Sequence, residues 1–227
     1  MPIKYVHQLQ NLYFALTGEE LKINESTSKL NLGCGNKKIN GFINLDAHQH
    51  YSPDIIHDLN QFPWPFKDNE YSHIFAQNVI QYLGENKEDI IDIIKEMYRV
   101  SSNSAIWEIQ APHWRSDTAL DDPTHKCIIT KGLLNKFNQK LCLDNLKDNP
   151  NGSRFAFDNA IDIEVVDTNY IYNDNWKQRL SSKDITEDEL QYAVNTFNNV
   201  ASSSRFLIQV HKPGRIPKAE LENVLNK

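Results

Sequence analysis

The stretch Lys29-Leu30-Asn31-Leu32-Gly33-Cys34-Gly35-Asn36, followed closely by Asn44-Leu45-Asp46, restricts this chain more than any other part of it. A short apolar run ahead of two glycines reads as a buried strand entering a tight turn. Glycine has no Cβ, so the backbone at Gly33 and Gly35 can turn sharply and lie against a ligand. Asp46 closes a second short strand, where a carboxylate can accept hydrogen bonds from a ribose diol, as acidic residues do in nucleotide-binding α/β folds. An ordinary strand-to-loop turn also accounts for two glycines one residue apart. The dinucleotide fingerprint is incomplete: Lys38 stands at its third glycine, and Asp46 follows Gly33 by thirteen positions, against about twenty in that motif. A dehydrogenase-type site is therefore disfavoured.

Strand and helix signals alternate through most of the chain, the pattern of an α/β sandwich with a mostly parallel sheet. Val6, Leu9, Tyr13 and Leu16 predict an amphipathic helix over 3–16, which covers the core, closes over a cofactor or packs on a second subunit. Residues 17–28 read as polar linker. Strands are expected at 29–32, 42–45, 54–59, 71–76, 105–109, 161–171 and 205–210. Little chain separates the first two, so the helix between them has about one turn. Phe62-Pro63-Trp64-Pro65-Phe66 reads as a rigid aromatic loop, because its prolines remove ladder donors. Ile90, Ile94, Met97 and Tyr98 stripe a helix over 87–99, with Glu88 and Asp89 in its first turn. A further helix is expected over 131–140 and a loop over 144–159. Thr186-Glu187-Asp188-Glu189 fits a capping box, opening a helix striped by Leu190, Ala193, Val194, Phe197 and Val200. Residues 216–227 read as a short peripheral helix or a frayed end.

At 227 residues the chain suits one domain. The net charge of -6 and the lack of a basic block argue against extended phosphate contacts with nucleic acid. Mean hydropathy is -0.58 and no apolar run is long enough to span a membrane. The N-terminus lacks the basic-then-apolar pattern of a secretory signal. Cys34, Cys127 and Cys142 form no C-x-x-C pair, which points to free thiols in a reducing cytoplasm.

Taken in order, "LNLGCG", "GFINLD" and "HDLNQFPWPFKDNEYSHIFAQNVIQYL" resemble the class I S-adenosylmethionine-dependent methyltransferases, over roughly 30–130. The resemblance implies a Rossmann-like, seven-stranded, three-layer α/β sandwich with its last strand antiparallel. S-adenosyl-L-methionine is the implied cofactor, lying on the carboxyl ends of the first four strands. Gly33 and Gly35 would face its methionine and ribose parts, Asp46 the ribose, and Asp58 with Leu59 the adenine. Asn31 stands where the family often carries an acid, and Gln77 at the mouth of the cleft. Cys34 either touches the cofactor or packs as a small residue, and Trp64 either walls the cofactor or anchors its loop. Many relatives read "HVLEHL" where Asn78, Gln81 and Tyr82 replace His, Glu and His here. That departure weakens any catalytic role carried over to this loop.

The block Asp121-Asp122-Pro123-Thr124-His125-Lys126 follows His113-Trp114-Arg115. Its "DPTH" core also occurs in a subgroup of these enzymes, several associated with bacterial surface-glycan or capsule loci. Neutral imidazole suits removal of a hydroxyl proton, making His125 and His113 candidate bases with Asp122 orienting His125. A structural turn network accounts for the same residues. Two histidines with nearby aspartates also raise a metal, but no recognised ligand spacing is present, and none is assigned. The reading is O-methylation of a small-molecule or glycan acceptor by a cytoplasmic, possible homodimeric enzyme, with 111–160 and 172–203 on the substrate side. A nucleotide-linked oxidoreductase and a non-catalytic binding or regulatory module are the alternatives.

Overall fold

The computed structural model describes residues 28–149 and 151–225. The helix expected over 3–16 and the linker ahead of residue 28 lie outside the described residues. Seven strands form one sheet: β1 (Ser28–Leu32), β2 (Ile43–Asp46), β3 (Ile55–Ile56), β4 (Tyr71–Gln77), β5 (Ser101–Pro112), β6 (Ile163–Tyr172) and β7 (Ala201–Val210). Their order is β3-β2-β1-β4-β5-β7-β6. The first five run parallel, and β7 is antiparallel to both of its neighbours. This is the mostly parallel, Rossmann-like α/β sheet expected, flanked by helices and with its last strand reversed. The order turns back between β1 and β4, and in open α/β sheets ligands bind beyond the carboxyl ends at such a point.

Alternation along the central strands sends Leu30, Leu32, Ile74, Ala76, Trp107, Ile109, Phe206 and Ile208 into one core. The helix α1 (Ile90–Val100) lays Ile90, Ile93, Ile94 and Met97 on that core. Each such side chain contributes about 1.5–3 kcal/mol by leaving water. Its entry is a short 3-10 turn, Lys87–Asp89, where Asn86 and Asp89 exchange the hydrogen bonds of a capping box.

Several elements differ from the sequence expectation, each for a local reason. No helix forms between β1 and β2. Instead the buried amide of Asn44 satisfies the connection: Oδ1 accepts from Ile39 N at 2.8 Å and from Asn31 Nδ2 at 2.9 Å, while Nδ2 donates to Phe42 O at 3.0 Å and Asp54 Oδ2 at 2.8 Å. The third strand is cut to two residues, and Asp54 becomes a tie to Asn44 rather than a ladder residue. The helix expected over 131–140 is two, α3 (Lys131–Asn135) and α4 (Gln139–Asp148), because Asn138 caps a new start by accepting from Leu141 N. The expected loop thus opens helical and also holds α5 (Phe155–Asp158). Between α1 and α3 a single turn, α2 (Asp117–Leu120), follows β5.

Between β6 and β7 lie α6 (Asp174–Ser181), not anticipated, and α7 (Glu187–Thr196), which starts with the expected capping box. Trp176, Leu180, Leu190 and Val194 join Tyr170 and Tyr172 in a second apolar cluster. Phe197 falls outside that cluster, 51% exposed just past the helix end. The tail forms α8 (Lys218–Leu225), packed on α4 and α5 through Leu221. Among the described residues no helix is long and apolar enough to cross a membrane.

Candidate functional site

At the carboxyl ends of β1 and β2 the chain builds a clasp. Gly33 and Gly35 take φ of +57° and +50°, the left-handed region that glycine enters without steric cost. A Cβ on Gly33 would sit 2.3 Å from Val79 Cγ2, whereas one on Gly35 would meet nothing within 4 Å. The first glycine is thus needed for packing, and the second leaves open space. Gly35 N donates to Asp46 Oδ2 at 2.8 Å, and His48 donates to Asp46 Oδ1 from its backbone at 2.9 Å. His48 Nδ1 lies 3.1 Å from the same oxygen. Burial alone would push the Asp46 carboxyl up, but these hydrogen bonds outweigh it and hold the group below the usual carboxylate range. A carboxylate offers roughly four acceptor positions, so Oδ2 keeps capacity for a further donor.

The clasp opens on a cleft of about 440 Å³, within the usual range for small-molecule sites of roughly 300–1,000 Å³. Of the residues singled out in the sequence, Gly33, Gly35, Asp46, Asp58 and Leu59 line it. Asn31, Cys34 and Gln77 do not. Asn31 is buried behind the clasp, with Nδ2 donating to Lys37 O at 3.0 Å as well as to Asn44. Cys34 is 4% exposed, a packing residue whose thiol burial pushes up. Gln77 turns instead to Gln110, donating from Nε2 to Oε1 at 3.0 Å. Trp64 is a core anchor rather than a wall: it is 1% exposed and its Nε1 donates to Leu59 O at 3.0 Å, fixing the segment that presents Leu59.

Sequence reasoning missed part of the lining. His48 and Tyr51 come from a 3-10 turn, Gln49–Tyr51, after β2. Asn60 Oδ1 accepts from Gly84 N at 2.7 Å and its Nδ2 donates to Asp58 Oδ1 at 3.0 Å, joining two walls. Asn78, held at φ +53° by donating to Gln110 O, and Tyr82 complete the far wall. The only advance signals were the unusual Asn78 and Tyr82.

Tyr82 connects the cleft to the Asp122–His125 block. Its hydroxyl donates to Asp122 Oδ2 at 3.2 Å, and its ring lies 4.8 Å from that of His125. Asp122 Oδ1 accepts from Thr124 Oγ1 at 2.5 Å and Thr124 N at 2.9 Å, which holds its carboxyl below the usual range. His125 Nδ1 lies 3.1 Å from Ala119 O. A carbonyl only accepts, so this nitrogen carries the proton and Nε2 is bare in the neutral ring. Nε2 lies 3.8 Å from Asp122 Oδ2. Ala119 therefore orients the ring, where Asp122 had been expected to. His113 does not join this group. It is 2% exposed, its Nδ1 accepts from Arg115 N at 3.3 Å, and its ring stands against Tyr170. Burial first, and the Arg115 guanidinium second, push its pKa down. A base must reach its proton, and this seat is closed. Among the described residues no three His, Cys, Asp or Glu side chains converge as a metal site.

No family model matches the chain, and no curated protein matches it in sequence. Solved structures do. An S-adenosylmethionine-dependent methyltransferase from Archaeoglobus fulgidus aligns over 89% of this chain and 93% of its own, with TM-score 0.54 and 12% identity. A possible histamine N-methyltransferase from Thermotoga maritima covers 90% and 89%, at TM-score 0.48 and 8% identity. A methyltransferase from Mesorhizobium loti covers 83% and 93%, at 0.46 and 10%. At such identities the likeness to the Archaeoglobus protein establishes the fold that the two share.

Proposed function

We propose that this chain is an S-adenosylmethionine-dependent methyltransferase acting on an oxygen of a small or glycan-type acceptor. The observation that carries the reading is the Gly35–Asp46 clasp opening on the cleft at the β1/β4 switch point. The residues fit the cofactor: Asp46 Oδ2 takes a ribose hydroxyl, the open space at Gly35 admits the chain of the ligand, and Asp58 with Leu59 faces the adenine. Gly33 forms part of that wall, and Asn31, Cys34 and Gln77 support it from behind or beside it. The cofactor supplies an electrophilic methyl on a sulfonium, and the protein supplies position and proton handling.

An oxygen acceptor must lose its proton during attack. His125 has a bare Nε2 in the neutral ring, 3.8 Å from Asp122 Oδ2, and that nitrogen is the atom that would take the proton. Tyr82 lines the cleft and ties that pair to it. His113 takes a packing role beside β7. Assignment of the acceptor to a surface glycan rests on the resemblance of the "DPTH" block; the cytoplasmic setting rests on the three unpaired cysteines, the single domain on the chain length, and a possible homodimer on the helix expected over 3–16.

The test is methyl transfer from labelled S-adenosylmethionine to saccharide and small hydroxyl acceptors, in wild type and His125→Ala. Removing a general base lowers turnover by about 10²–10⁴-fold, while S-adenosylhomocysteine binding should stay within twofold. Unchanged turnover in His125→Ala excludes this residue as base. No transfer to any hydroxyl acceptor, with transfer to an amine, overturns the oxygen assignment.

A further inference from the structure

Beside the cleft, four side chains form one hydrogen-bonded row across the carboxyl end of the sheet. Lys37, on the loop just beyond Gly35, donates Nζ to Gln77 Oε1 at 3.4 Å. Gln77 Nε2 donates to Gln110 Oε1 at 3.0 Å, and Arg205 NH2 donates to the same oxygen at 3.3 Å. The register sets Gln77 opposite Gln110 and Gln110 opposite Arg205, so the three project from one face. The row adjoins the cleft directly, since Asn78 lines it and is bonded to Gln110 O.

Both amide oxygens in the row already accept from neighbours, Gln110 twice. What is left is nearly all donor: Nε2 of the buried Gln110, the rest of the Lys37 ammonium and the rest of the Arg205 guanidinium. Among the described residues neither cation has a carboxylate partner; of the other arginines Arg99, Arg154 and Arg215 are ion-paired, and Arg115 and Arg179 lie on tryptophan rings instead. A row of directed donors with two uncompensated positive charges is complementary to carboxylate or phosphoryl oxygens. We infer that this row is an anion-recognising subsite and that the methyl acceptor carries an acidic group, a carboxylate or a phosphoryl, seated on Arg205, Gln110 and Lys37. That the anion belongs to the acceptor rests on the methyltransferase reading. The other source of the same chemistry is the carboxylate of the cofactor itself.

The experiment is a nuclear magnetic resonance titration of the protein saturated with S-adenosylhomocysteine, following the side-chain amides of Gln77 and Gln110. Inorganic phosphate, D-glucuronate and methyl glucoside are added at constant ionic strength. The two anions should give saturable shifts and the neutral sugar none. Arg205→Met should weaken anion binding at least tenfold, while Arg154→Met, at an exposed arginine just ahead of α5 that takes no part in the row, should leave it within twofold. Absent or non-saturating shifts, or equal weakening by Arg154→Met, overturn the subsite. The source is decided by affinity for S-adenosylhomocysteine and for 5′-methylthioadenosine, which lacks the carboxylate. Within threefold of wild type for both, in Lys37→Met and Arg205→Met, supports an acceptor subsite. A tenfold loss confined to S-adenosylhomocysteine assigns the row to the cofactor instead. Failure of wild type to bind S-adenosylhomocysteine overturns the methyltransferase reading alone, and titration of the free protein then decides the subsite.

Discussion

Gly33 and Gly35 look equivalent in sequence, yet their surroundings separate stability from binding. An alanine at Gly33 meets Val79 at 2.3 Å, and such overpacking costs about 1–3 kcal/mol with about 1 more for a left-handed backbone. At Gly35 only the backbone cost applies, but the methyl enters the cleft. Urea unfolding should therefore show the larger loss for Gly33→Ala, and calorimetry a tenfold or greater loss of S-adenosylhomocysteine binding for Gly35→Ala; the reverse ranking contradicts this geometry. His113 makes a pH prediction. Its folded pKa lies below the ordinary value of about 6.5, through burial and then Arg115. The unfolded chain therefore binds more protons as pH falls, so the contribution is whole above about pH 6.5 and is lost on the way down to the folded pKa. His113→Gln should flatten the fall in unfolding midpoint between pH 7 and 5 without abolishing it, because half-buried His73 is shifted the same way. A midpoint profile identical to wild type would refute the assignment.

Between elements, one tie is polar and many-membered. Asp162 is fully buried at the start of β6, and Arg215 meets it three times, from its backbone N at 2.7 Å, Nε at 3.0 Å and NH2 at 3.0 Å. Asp162 also accepts from Gln139 N, and Arg215 also reaches Asn138 and Glu164, so β6, the first turn of α4 and the segment after β7 share one knot. Breaking a buried pair from one side costs about 3–5 kcal/mol, because it strands the other charge. Arg215→Ala should lose that much by denaturant unfolding, and Arg215→Ala with Asp162→Asn should recover part of it; a loss below 1 kcal/mol sinks the argument. Nothing in the sequence marked this knot, since its members lie 53 positions apart. The strands and α1 were legible because their apolar period is local. The break at Asn138 was hidden, as an asparagine inside an apolar pattern does not announce that it caps. The helix α6 was hidden too, its few apolar residues gaining a face only against Tyr170 and Tyr172.

At the scale of the molecule, the order of strands puts the clasp and the cleft at one switch point, with the Tyr82–Asp122–His125 group beside them. The clasp could be read from Gly33, Gly35 and Asp46 because its turn chemistry is written within one short stretch of chain. The Tyr82–Asp122 pair could not: its members stand 40 positions apart and meet only through the fold. Of the two histidines His125 was the first candidate base and His113 the second, and the fold separates them by their neighbours: His113 stands against Tyr170, His125 beside the cleft residue Tyr82. The central claim is that this cleft holds S-adenosylmethionine by way of Asp46. Its most direct test is calorimetric titration with S-adenosylhomocysteine on wild type and on Asp46→Asn, which keeps the size of the side chain but removes its charge and turns one of its two accepting oxygens into a donor. The account predicts one site of micromolar affinity in wild type, weakened at least tenfold in the variant. No heat and no thermal stabilisation in wild type, or equal affinity in both proteins, would contradict it.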